Sequence, residues 1–145
     1  MAAEPIQGFA ELQKKLAAMG QAAGTKALRD ATLQATLPAM QAIRARVPVG
    51  TRAHFTYKGR YVSAGFLQSS IKRKSFILKD KSGAVAVIGM AAEAFYGGFI
   101  ELGTSKMARR PFLEPGFRSA QPAMIARLRE RLGRAIDRAA QSGNA

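Results

Sequence analysis

Apolar residues recur at helical spacing through the first third of the chain. Phe9, Leu12, Leu16 and Met19 form one stripe; Leu33, Leu37, Met40, Ile43 and Val47 form another. With few β-branched residues and much Ala, Leu, Gln and Lys, residues 5–47 are predicted to be helical. Gly20 and Gly24 bracket the expected break, with Thr25 as N-cap of the second helix. Pro38 predicts a kink or a restart inside that helix, and Pro48 and Gly50 end it. From residue 51 to 102 the pattern changes. Phe55, Tyr57, Tyr61 and Val62 flank Lys58-Gly59-Arg60 as a short hairpin. Ser69 to Leu78 alternates loosely, Asp80-Lys81-Ser82-Gly83 is a turn signal, and Ala84 to Ile88 is a compact strand ended by Gly89. These two segments are expected to pair as an antiparallel hairpin. Phe95, Tyr96, Phe99, Ile100 and Leu102 follow at a spacing closer to a helix than to a strand, although Gly97-Gly98 weakens a helix.

Residues 103–114 read as a loop and 115–140 as a C-terminal helix. Pro115 suits the first turn, Pro122 predicts a kink or restart, and Ile125, Leu128, Leu132, Ile136 and Ala139 form the apolar stripe. Ser142-Gly143-Asn144 reads as a frayed tail. The pattern is α+β within one domain, residues 1–145: two N-terminal helices, a small antiparallel sheet, a short helix or aromatic segment, and a C-terminal helix.

Composition narrows the function. The 145 residues contain no cysteine and one histidine, His54, which excludes thiolate sites, disulfides and any two-histidine metal motif. The nine carboxylates are scattered, and no Ser or Asp is spaced to form a triad with His54, so no catalytic residue, metal or cofactor is expected. Gly97-Gly98 and Gly103-Thr104 lack the Gly-Lys-Ser/Thr ending of a phosphate loop. No apolar run approaches a membrane span, and Glu4 and Pro5 stand where a secretory signal would be basic. A protein made in the cytoplasm, with no membrane partner, is the expectation. Twenty-three Lys and Arg against nine Asp and Glu give a net charge of +14, which attracts polyanions. Fourteen of the 23 are Arg, a bias that suits packed interfaces as well as phosphate.

The segment Phe95 to Pro115 is the densest in information. An aromatic element is stopped by Gly103, and a polar loop leads through Arg110-Pro111-Phe112-Leu113 into the last helix. Gly103 can adopt the positive φ that ends a helix. Pro111 keeps Arg110 extended. Phe112 and Leu113 are expected to plug into the core. Glu101 precedes the turn while Lys106, Arg109 and Arg110 follow it, which suggests an ion pair closing the loop.

Residues Tyr96, Phe99, Ile100, Glu101, Gly103, Thr104, Arg110, Pro111, Phe112, Leu113 and Pro115 resemble the tail-completion and head–tail joining family of long-tailed bacteriophages, the group that includes lambdoid minor tail protein Z. Upstream, Val47-Pro48-Val49-Gly50-Thr51, Gly65-Phe66-Leu67 and Ser70-Ile71 are similar to that family's Pro-x-x-Thr-Gly stretch and Leu-x-x-Ser-Ile strand. Two departures stand out: Leu102 replaces a frequent aromatic, and Arg52–Ala64 lengthens the gap before the strand. The resemblance implies a virion component of the neck, assembled in the host cytoplasm, that completes the tail and joins it to the head connector. It implies a ring of copies, with sixfold symmetry expected. The implied partners are the tail terminator and tape-measure end, the head connector proteins, and genomic DNA in the channel.

Each candidate site has a plainer reading. Glu101, Gly103, Thr104, Arg109, Arg110, Pro111 and Phe112 are candidate subunit or partner contacts, or else an intrachain loop clamp. Arg127, Arg131, Arg134 and Arg138 fall within about 60° of one another on a helix, opposite the apolar stripe. They are a DNA- or acidic-surface-facing set, or a solvated face. Tyr57, Lys58, Arg60 and Tyr61 interleave aromatic and basic residues, either to stack on single-stranded nucleic acid or as a hairpin tip against a protein. The alternative function is a free, basic, sequence-independent DNA-binding protein, for which affinity falls steeply with salt.

Overall fold

The computed structural model describes residues 9–55 and 58–143. The expected helix start at Pro5, the aromatic position Tyr57 and the tail residue Asn144 lie outside them. Three helices open the chain: α1 (Phe9–Ala18), α2 (Gln21–Ala35) and α3 (Leu37–Arg46). Gly20, at φ +87°, separates the first two. Gly24 is not part of the break, and Thr25 is not the cap. Gly24 lies inside α2, where a Cβ would stand 2.8 Å from the Leu16 carbonyl oxygen. The glycine thus permits close approach of α1 and α2. Pro38 produces a restart: α3 begins at Leu37, with the proline in the first turn, where a missing N–H costs nothing.

β1 (His54–Phe55) and β2 (Tyr61–Val62) pair antiparallel, with His54 opposite Val62 and Phe55 opposite Tyr61. α4 (Phe66–Ser69) follows a left-handed Gly65, so Leu67 is helical and not in the strand that the resemblance implies. β3 (Ile71–Ile77) and β4 (Ala84–Met90) make the second two-stranded sheet, and β4 continues through Gly89. The turn between them has Lys81 at φ 58°, and the Asp80 carboxylate accepts the Ser82 amide at 3.0 Å. A 3₁₀ turn at Ala92–Ala94 leads into α5 (Tyr96–Leu102), so the aromatic segment is a helix despite Gly97-Gly98. α6 (Leu113–Gly143) starts two residues before the predicted position and runs through Ser142. It does not restart at Pro122. That residue is exposed, where water can take the hydrogen bond the proline cannot make. The architecture is α+β: helices with two small antiparallel sheets.

The chain divides into two compact units. The first comprises residues 1–35, 75–86 and 125–145. Among the described residues, its buried side chains are Ala31 and Ala35 of α2 and Leu132 of α6, at 4%, 6% and 0% exposure. On α2 the buried apolar side chains are alanines, while Leu33 of the expected stripe is half-buried. The second unit comprises residues 36–74 and 87–124. Its core is Ile43, Val47, Leu67, Ile71, Ala94 and Phe112. Arg44 of α3 donates to the Ile71 carbonyl at 2.9 Å, and Gln68 donates to the Arg44 carbonyl at 2.9 Å. Gly116 faces Ile43 so closely that a Cβ would stand 2.8 Å from the Ile43 Cα.

Candidate functional site

The segment that carries the resemblance folds as one hydrogen-bonded unit around the C-terminal end of α5. Gly103 takes φ +75° and ψ 172°, a conformation open only to glycine, and its amide donates to the Phe99 carbonyl at 2.7 Å. The chain then reverses. Thr104 and Met107 exchange backbone hydrogen bonds of 2.9 and 3.3 Å, and the Thr104 hydroxyl accepts the Lys106 amide. The Arg110 amide returns to the Ile100 carbonyl at 2.7 Å. A Cβ on Gly103 would stand 2.9 Å from the Arg109 nitrogen, so the two limbs of the loop touch there.

Glu101 closes the loop, but not through an ion pair. Its carboxylate accepts the amides of Phe112 at 2.6 Å, Leu113 at 2.9 Å and Glu114 at 3.1 Å. Those are orphan donors at the start of α6, so a side chain from the preceding helix caps it. This explains why α6 begins at Leu113. Burial penalises the Glu101 charge. The three amide bonds, aided by the nearby Arg109 charge, outweigh that penalty and hold the carboxyl below its ordinary range. Arg109 itself pairs with Glu114 at 3.8 Å, and Glu114 also takes Arg118 at 2.7 Å.

Phe112 has no exposed surface, and Pro111 is half-buried. Thr104, Lys106, Met107, Arg109 and Arg110 are exposed. The sequence-predicted set therefore splits into an inner part that fixes the loop (Glu101, Gly103, Phe112) and an outer part that the loop presents. The sequence reading missed one surface. Phe99 and Leu102 of α5 share one exposed side with Phe95 at its N-cap, at i, i+4 and i+7, whereas Gly97 and Glu101 are buried. The signal was in the spacing: the helix carries more large apolar residues than its buried side can use.

Of the four arginines of α6, Arg134 and Arg138 are exposed, and the other two lie nearer the buried stripe. Arg127 and Arg131 are half-buried and flank it, and Arg127 donates through Nε to the Gln34 carbonyl of α2 at 2.9 Å. Arg134 pairs with Glu130 at 2.6 Å, and Arg138 donates to the Arg134 carbonyl at 3.4 Å. Arg131 and Arg138 line a shallow cleft with Lys26 and Asp30 of α2. In the hairpin of β1 and β2, Phe55 and Tyr61 stack edge to face at 5.5 Å, and Arg60 reaches Glu93. His54 packs edge-on against Tyr96 at 5.4 Å, an aromatic contact. Among the described residues, no helix is long and apolar enough to cross a membrane.

Residues 10–103 match the model of the family described as "Bacteriophage HK97-gp10, putative tail-component". The match spans well over half of the 145 residues, and the chain belongs to this family of bacteriophage tail components. It is thereby a structural protein of the phage tail and a constituent of the virion. The matched region ends at Gly103, so the loop that follows and α6 lie beyond it. No curated protein and no solved structure matches the chain.

Proposed function

We propose that the chain acts at the neck, completing the tail and joining it to the head connector as one component of a ring. The observation that carries this reading is the loop 103–110, held rigid from within and presenting cations outward. Catalysis has no part in the proposal; the role is mechanical. Copies carrying +14 repel one another in solution and assemble when a tail end offers a complementary surface. Glu101, Gly103 and Phe112 set the shape, while Thr104, Arg109, Arg110 and Pro111 make or border the contact. The proposed neighbours are the tail terminator and tape-measure end on one side and the head connector on the other, in a ring of six. Kinship with minor tail protein Z, and genomic DNA passing near Arg127, Arg131, Arg134 and Arg138, belong to the same proposal. The positive charge alone would also suit a free DNA-binding protein, and the family match lends that reading no support.

Removing the gene tests the reading. Phage lacking the chain should accumulate filled heads and full-length tails that remain separate, and purified protein added to the mixture should restore infectivity. Joined particles without the chain would contradict the proposal.

A further inference from the structure

We propose that Phe99 and Leu102 of α5 and Phe95 at its N-cap, with Met107 and the loop cations Lys106 and Arg110, form the docking surface for a different protein. That partner's contacting face is apolar at its centre and carboxylate-rich at its rim. The inference deepens the neck reading and rests on it, because that reading supplies the partner.

Leu102 is 78% exposed, and Phe99, Phe95 and Met107 are 51%, 42% and 41% exposed. Single exposed hydrophobics are ordinary, but two on one side of a seven-residue helix, with a third at its N-cap and a fourth in the loop that follows, are a patch. The Phe95 and Phe99 rings already meet edge to face at 6.1 Å, so little side-chain freedom is lost on binding. The Arg110–Ile100 and Thr104–Met107 backbone bonds hold Lys106 to Arg110 beside the C-terminal end of α5. An apolar centre with a polar rim is the anatomy of a protein interface.

Charge selects the occupant. The unit that holds this patch carries twelve Lys and Arg against three Glu. Each of those carboxylates is engaged locally: Glu93 by Arg60, Glu101 by three amides, and Glu114 by Arg109 and Arg118. A second copy carries the same net +14, so seating it here sets a cationic body against a cationic rim. Nucleic acid would match the charge and stack on the rings. It would leave Leu102 and Met107, the aliphatic part of the patch, without an apolar partner, and a protein supplies both.

The test uses full-length protein and purified heads and tails assembled without it. Co-sedimentation would be compared for wild type, for Phe99→Ser with Leu102→Ser, and for Lys106→Glu with Arg110→Glu. All four positions are exposed, and an unchanged melting transition would verify folding. The expected result is that wild type binds one particle, less tightly as salt rises, and that each double variant binds about tenfold or more weakly. Equal binding by the variants would overturn the surface and leave the neck reading intact. Failure of wild type to bind either particle would overturn both. Self-association lost in the Phe99 and Leu102 variant would make the occupant a second copy. DNA binding lost in both variants would make it nucleic acid. Either result would overturn the proposal.

Discussion

The Glu101 carboxylate and the Phe112 amide, eleven positions apart in sequence, meet at 2.6 Å, and the same carboxylate takes the amides of Leu113 and Glu114. One side chain thereby sets where α6 begins and how far the intervening loop can move. Since Glu101 is nearly buried, losing it would leave donors unsatisfied away from water.

Glu101→Ala is expected to destabilise the fold by about 2–4 kcal/mol, and Glu101→Gln by about 1–2 kcal/mol. The folded carboxyl titrates below its ordinary value of 4.5. Its stabilisation is therefore complete above that value and is lost as pH falls through the lower folded value. Denaturant melts of wild type and Glu101→Gln should differ most near neutral pH and converge in acid. A gap independent of pH would mean that the charge contributes nothing.

Gly103→Ala combines a backbone conformation reserved for glycine with a Cβ 2.9 Å from the Arg109 nitrogen. A loss of about 1–3 kcal/mol is expected in thermal or chemical melts. Gly98→Ala is the control: an added Cβ there meets nothing within 4 Å, and little or no destabilisation is expected.

Phe112 is wholly buried, so Phe112→Ala is expected to cost about 3–5 kcal/mol through cavity formation. Phe112→Leu should cost much less. Near-native stability of the alanine variant would show that the ring does not anchor the loop.

The arginines of α6 separate by role. Arg127→Ala removes a bond to the Gln34 carbonyl and should cost about 1 kcal/mol. Arg134→Ala removes an exposed pair with Glu130 and should stay within about 0.5 kcal/mol. Equal, negligible effects would return all four arginines to a purely external role.

Much of this architecture was readable from residue order. Periodicity located the opening helices, and the Asp80-to-Gly83 turn located the β3–β4 hairpin. What was misread depended on contacts between residues distant in sequence. Gly24 looked like a break because its Cα-only approach to Leu16 is invisible along one helix. Glu101 looked like the partner of an arginine because neighbouring charges are legible, whereas orphan amides thirteen positions away are not. The arginine face was placed by angle alone, and burial then showed that Arg127 and Arg131 flank the packed side. The exposed stripe of α5 was visible as spacing, but which of its two apolar sides faces the core is decided by packing.

The most direct test of the proposed place in the neck is an image of intact virions at a resolution that traces this chain. The account predicts a closed ring at the head-proximal end of the tail, with the 103–110 loop and the outer side of α5 against a neighbouring protein. Density for the chain along the tail tube or at its distal tip, or a ring with that loop facing open solvent, would contradict it.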